Sequence, residues 1–146
     1  MQQVRVKKQW EQLAFDILIE DKTNDIDNLD QILKDYYEEY HSTLANVRRP
    51  SDGHTVLIEA VFDGNEPLVN RLLCEPDLDI DIANDEGITP LMAAALFEQV
   101  AIAQRLLKAG ADINKKDCDG DTALKIAQQG NADGVAALIK ARSGKK

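Results

Sequence analysis

The residues that could do chemistry in this chain are few, and their spacing fits no site. Asp77-Leu78-Asp79-Ile80-Asp81 alternates carboxylates as a calcium loop does at its start. Such a loop needs Gly next for its sharp turn and a bidentate Glu at its end. Ile82 and Ile88 stand in those places. Asp117-Cys118-Asp119-Gly120-Asp121 puts its Gly too early for the same loop, so both clusters read as turns. The two histidines, His41 and His54, lie in no metalloprotease helix motif and have no Ser or Cys partner at a catalytic spacing. Both read as plain surface residues. Cys74 and Cys118 have no zinc-site neighbours and make no disulfide framework, which suits a reducing compartment. Cys118 has no nearby base to activate it. Gly144-Lys145-Lys146 precedes no helix and cradles no phosphate. No catalytic residue, cofactor or metal ligand is assigned, and the chain reads as a non-enzyme.

The elements explain why these residues sit where they do. Gly53-His54-Thr55-Val56-Leu57 returns as Gly87-Ile88-Thr89-Pro90-Leu91 and again as Gly120-Asp121-Thr122-Ala123-Leu124. The glycines are 34 and 33 residues apart, a period that marks stacked repeats. In each repeat the Gly turn leads into a short helix opened by Thr. A second helix follows, with apolar pairs near its end: Leu68, Val69, Leu72 and Leu73, then Ile102, Ala103, Leu106 and Leu107, then Val135, Leu138 and Ile139. Leu78-Asp79-Ile80-Asp81-Ile82 and Ala111-Asp112-Ile113-Asn114 join the repeats. Their apolar–polar alternation predicts hairpin-like fingers.

Upstream, Trp10, Leu13, Ala14, Ile17 and Leu18 lie on one face of a predicted helix. Ile26, Leu29, Ile32, Leu33, Tyr36, Tyr37 and Tyr40 form the stripe of a second, which Thr23, Asn24 or Asp25 could cap. Arg48 to Gly53 is a turn-rich boundary where Pro50 stops helix.

Composition agrees with a helical binding module. The 146 residues suffice to bury one core, and aromatics are scarce at 5%. The formal charge of −9 argues against nucleic acid, whose binders need a basic stripe. It permits a basic partner, or simply aids solubility. No apolar run approaches a membrane span, and Met1 to Lys8 is followed by no apolar signal segment. The cytoplasm is the expected location, with export by another route left open.

Thr89-Pro90-Leu91-Met92-Ala93-Ala94-Ala95 followed by Arg105-Leu106-Leu107-Lys108-Ala109-Gly110-Ala111-Asp112-Ile113-Asn114 resembles the ankyrin repeat. The family pattern is Gly-x-Thr-Pro-Leu-His-x-Ala-Ala, then Leu-Leu, then Gly-Ala-Asp-x-Asn. Met92 fills the His slot. The first repeat matches through Gly53, Thr55, Leu57, Ala60, Gly64, Leu72 and Leu73. It departs at Val56, Ile58 and Glu59, and carries Pro76-Asp77 with one extra residue. The third keeps Gly120, Thr122, Leu124, Ala127 and Gly130, and its first helix reads as one residue short.

The resemblance implies an all-α ankyrin-repeat solenoid of stacked helix-turn-helix units with short hairpin-like fingers. Residues 51–84 and 85–116 are two repeats, 117–142 a C-terminal capping repeat with a polar outer face, and 143–146 a flexible basic tail. Residues 1–50 form a helical N-terminal cap or a degenerate repeat. A separate tethered helical hairpin is the alternative. Capping is expected because no repeat buries its apolar face alone.

The resemblance also places partner binding on a concave face of finger and first-helix residues. Ser51, Asp52, His54, Asp85, Glu86, Ile88, Cys118, Asp119 and Asp121 take the finger and turn positions. Phe62, Asp63, Leu96, Phe97, Gln128 and Gln129 take the helix positions. Aromatic anchors with a charged rim have the character of a hot spot. In the competing reading Phe62, Leu96 and Phe97 pack between repeats. The expected partner is a protein segment carrying Lys or Arg around an apolar residue, met by a monomer. Nucleic acid and membrane are not expected partners. A regulatory or inhibitory subunit that occludes an enzyme is the second function this pattern allows.

Overall fold

The computed structural model describes residues 26–40 and 44–144. The predicted Trp10–Leu18 helix and the Thr23, Asn24 and Asp25 caps lie outside the described residues. Seven α-helices and one 3-10 turn follow in order: α1 (Ile26–Tyr40), the 3-10 turn (Leu44–Asn46), α2 (Val56–Phe62), α3 (Glu66–Leu72), α4 (Pro90–Leu96), α5 (Val100–Lys108), α6 (Ala123–Gln129) and α7 (Asp133–Ser143). Among the described residues there is no strand.

The three first helices share one start. Thr55, Thr89 and Thr122 sit in extended backbone, and their hydroxyls accept from the amides of Ile58, Met92 and Lys125. Each cap satisfies one of the donors a helix start leaves open, worth about 1 kcal/mol. Pro90 opens α4 at no hydrogen-bond cost. The second helices begin with Asn65, Gln99 and Ala132 as N-caps, of which only Asn65 makes a side-chain cap.

The spacing from Thr cap to second N-cap is the same in all three repeats, so the expected shortening of the third repeat's first helix is not found. α2, α4 and α6 have 7 residues each. The turn residue with positive φ is Gly64, then Glu98, then Asn131. Gly130 is the C-cap one residue earlier, with φ −87. The extra residue of the first repeat lies past α3. There Pro76 prevents a longer helix and Asp77 takes φ 58.

Stacking follows from equivalent contacts: α2 packs on α4 and α4 on α6, while α3 packs on α5 and α5 on α7. One buried cluster runs from Ile32, Leu33, Tyr36 and Leu44 through Leu57, Leu72, Leu91, Met92 and Leu106 to Ile139. α1 therefore shares the core of the repeats, and Asp30 pairs with Arg71 of α3. Small side chains at Ala93, Ala94, Ala95 and Ala103 are fully covered and let the helices approach.

The fingers are turns that lean on one another. Asn84 N donates to Ile88 O at 3.0 Å and Asp117 N to Asp121 O at 3.0 Å, each closing a tight loop. Asp85 N donates to Asp52 O at 2.9 Å and Cys118 N to Glu86 O at 3.0 Å, so the three Gly segments stand in one row. Gly87 has φ 79, and a Cβ there would meet Asp117 Cα and Cys118 N at 2.8 Å. Both the backbone angle and the next finger require glycine.

A second row of bonds runs deeper: Asn46 Oδ1 accepts from Asp79 N at 2.7 Å, and Asp81 Oδ1 from Asp112 N at 2.9 Å. Asn46 thus has the role in its segment that Asp81 has in the first repeat. The carboxylates of the rejected calcium loop are employed here, as backbone acceptors.

Candidate functional site

The candidate face is assembled from the fingers and the C-terminal ends of α2 and α4. The first finger differs from the other two. Asn84 Oδ1 accepts from Glu86 N and Ile88 N, and Asp117 Oδ1 from Asp119 N and Asp121 N, so a side chain closes each turn from inside. In the first finger Arg49 N donates to His54 O, closing a loop one residue longer. An arginine accepts no hydrogen bond, so Asp52 Oδ1 takes the His54 amide instead, at 3.1 Å.

The Arg49 guanidinium then binds two half-buried acids. Its Nε meets Asp52 Oδ1 at 2.9 Å, its Nη2 also pairs with Asp52, and the same Nη2 meets Glu59 Oε1 at 2.6 Å. His54 Nδ1 lies 2.8 Å from the same Glu59 oxygen. The Arg49 hydrogen bonds, opposing partial burial, hold the Asp52 carboxyl down at about 2. The pairing with Asp52 likewise raises Arg49 above its ordinary value, against its own desolvation. One ligand atom each from Asp52, His54 and Glu59 lies within 4.8 Å of the others. The guanidinium already pairs with both carboxylates, so a cation would have to displace it.

His54 is thus not the plain surface residue the sequence suggests. Its side chain is 15% exposed, held by Glu59 and tilted against Phe62. The His54 and Phe62 rings are 5.0 Å apart, and Phe62 and Phe97 meet edge to face at 5.1 Å and 66°. Ring pairs in this geometry contribute about 0.5–1.5 kcal/mol beyond burial. Phe62 is half-buried, while Leu96 and Phe97 are each 50% exposed and Val100 is 41% exposed. The competing reading, in which Leu96 and Phe97 pack away between repeats, does not describe them.

Among the other expected positions, Asp63, Asp85, Glu86, Cys118 and Asp119 are exposed, and Asp52 and Asp121 half-buried. Ile88 is a correction: it is 8% exposed and belongs to the core, since its side chain folds beneath the finger. Asp85 pairs with Arg48 at 2.7 Å and Asp121 pairs with Lys125. Among the described residues no basic side chain pairs with Asp63, Glu86 or Asp119. Gln128 and Gln129 are exposed on α6.

Sequence reasoning missed Arg49, Glu59 and Val100. The signal for the first two was Glu59 itself, a carboxylate where the repeat pattern expects an apolar residue. A half-buried acid demands a cationic or donor partner.

The row of linked fingers over paired helices defines a tandem helix-pair solenoid. The family model for ankyrin repeats (3 copies) matches residues 22–117 and 57–146, and the chain belongs to the ankyrin-repeat family. It is 33% identical over 134 residues to ankyrin repeat and SAM domain-containing protein 6 of Rattus norvegicus, covering 88% of this chain and 14% of that protein. It is 39% identical over 93 residues to inversin of Danio rerio, covering 63% of this chain and 9% of that one. To NF-kappa-B inhibitor alpha of Gallus gallus it is 35% identical over 93 residues, covering 61% and 29%. The chain thus spans less than a third of the length of these relatives. Ankyrin repeats are protein-interaction modules. Among the described residues no helix is long and apolar enough to cross a membrane.

Proposed function

We propose that this chain is a monomeric, non-enzymatic interaction module of the cytoplasm. In this reading it binds a protein segment along its finger and first-helix face. The observation that carries the reading is the exposed Leu96–Phe97 pair, whose Phe97 ring meets half-buried Phe62, rimmed by Asp63, Glu86 and Asp119, which pair with no basic side chain among the described residues. Exposed aromatic and aliphatic groups supported from below are what hot-spot anchors require. The acidic rim selects Lys or Arg beside an apolar residue in the partner, and steers its approach. Nucleic acid fits poorly, because the same face repels phosphate.

Affinity capture from the native source, followed by Phe97→Ala, tests the reading. Loss of about 2 kcal/mol in affinity is expected with the fold intact. Unchanged affinity refutes the anchor assignment. Association should also slow as salt rises, and a salt-independent on-rate removes the steering. A second reading, a regulatory, inhibitory or immunity/effector-type subunit that occludes a partner enzyme, is supported by the relative named as an inhibitor. Loss of a captured partner's activity on adding this chain separates the two.

A further inference from the structure

The first finger carries a run of basic residues beside a hydroxyl that the binding reading leaves unexplained. Arg48-Arg49-Pro50-Ser51 places two guanidinium groups just before a hydroxyl. Arg48, Pro50 and Ser51 are exposed, and residues 50–52 form the turn at the finger's tip. Among the described residues the Ser51 hydroxyl has no hydrogen-bond partner. Arg48 lies back across this turn. Its Nε donates to Gly53 O at 3.3 Å and its Nη2 to Asp85 Oδ1 at 2.7 Å.

We propose that Ser51 is a phosphoacceptor site for a basophilic Ser/Thr protein kinase, and that Arg48 holds the resulting phosphate. A kinase cleft lined with carboxylates recognises arginines by bidentate pairing. Here it exchanges like for like, because each guanidinium already pairs with carboxylates: Arg48 with Asp85, Arg49 with Asp52 and Glu59. The Arg48 side chain is 47% exposed and its pair is cheap to open; Arg49 is 21% exposed, so Arg48 is the group the kinase reads first.

The transfer is balanced. Ser51 Oγ forms a bond to the γ-phosphorus of ATP. The bond from that phosphorus to the bridging oxygen breaks and leaves ADP, and the kinase's base takes the hydroxyl proton. The product is a phosphoserine of charge about −1.5 to −2, three residues along the chain from Arg48. It competes with Asp85 for that guanidinium and adds its charge to the acidic finger face. Any gain in attraction for a basic partner rests on the reading above; the modification itself does not.

The test uses the folded full chain with a purified basophilic Ser/Thr kinase and Mg-ATP. Intact mass and fragment mapping should find one phosphate, on Ser51. Ser51→Ala, with unchanged circular dichroism, should abolish incorporation. Arg48→Gln should slow it about tenfold, the loss of one charge-assisted contact. No incorporation in the native chain, or undiminished incorporation in Ser51→Ala, overturns the site. A 31P titration then examines the capture. The phosphate's second pKa should fall below its ordinary value of about 6, and Arg48→Gln should restore it. Equal values in both proteins overturn the role of Arg48. No partner is needed for either measurement, so a failure here and a failure of the binding reading are told apart.

Discussion

Glu98 offers a stability change of predictable sign. It has φ 52 at the turn between α4 and α5, where the first repeat has Gly64 at φ 65 and the third Asn131 at φ 57. A left-handed backbone costs an L-residue roughly 1–2 kcal/mol. Replacing Glu98 by Gly removes this strain but gives the unfolded chain more freedom, a loss of about 0.5–1 kcal/mol. The Glu98 side chain is exposed and, among the described residues, makes no hydrogen bond or ion pair, so nothing else is lost. The balance predicts that Glu98→Gly stabilises by about 0.5–1 kcal/mol. The mirror change is Gly64→Ala, where a Cβ would meet only Gln99 Nε2, at 3.4 Å. It should destabilise by a similar amount, since it acquires the strain and sheds the entropy. Urea unfolding at constant slope measures both, and the melting temperatures should move in opposite directions by roughly 1–4 °C. A destabilised Glu98→Gly, or a neutral Gly64→Ala, would refute the assignment of this turn as a shared left-handed position.

Three other outcomes follow from the core, a finger and the ion network. Met92→Ala empties a fully buried site between repeats and should cost about 2–5 kcal/mol by denaturant titration. Asn84→Ala strips the acceptor shared by the Glu86 and Ile88 amides and should cost about 2 kcal/mol, with faster hydrogen exchange confined to residues 84–88. Asp52 has its pKa lowered to about 2, so its contribution to stability is full above the unfolded value of about 3.9 and is lost as pH falls through about 2. With its side chain 39% exposed, solvent screening reduces that contribution to about 1 kcal/mol or less. In Arg49→Gln the acid limb of the stability profile between about pH 4 and 2 should flatten.

The architecture was legible in the sequence because its signals are local. Thr opens each first helix with its own hydroxyl, Gly87 marks a turn, and the Leu pairs mark buried seams. What was illegible depends on which way a side chain points out of a turn. His54, Ile88 and Asp121 all follow the finger glycine, and in all three repeats this position turns inward. Ile88 answers with burial in the core. His54 answers with Glu59, and Asp121 with Lys125. The three residue types share no chemistry, so only the folded chain reveals their common place. Asn131 hid in the same manner. It takes the left-handed turn that Gly64 takes, while adjacent Gly130 mimicked the expected signal and made the helix look short.

The third repeat differs from the first two at three equivalent positions. Ile58 and Met92 are buried, and Lys125 stands exposed in the same place on α6. Val61 and Ala95 are buried, and Gln128 is exposed. Leu107 is buried on α5, and Lys140 is exposed on α7. Each exchange occurs only in the third repeat and only on the side facing away from the second. The inward residues Ile126, Ala127, Val135 and Ile139 remain apolar and buried. A fourth helix pair docking there would have to desolvate two ammonium groups and an amide against apolar side chains, a cost of several kcal/mol. The hydrogen bond of Lys125 to Asp121, which raises its pKa, further favours its charged form on that surface. Three exchanges on one face thus give the third repeat a charged and polar surface where its neighbours carry an apolar one, while the finger row remains continuous through all three repeats.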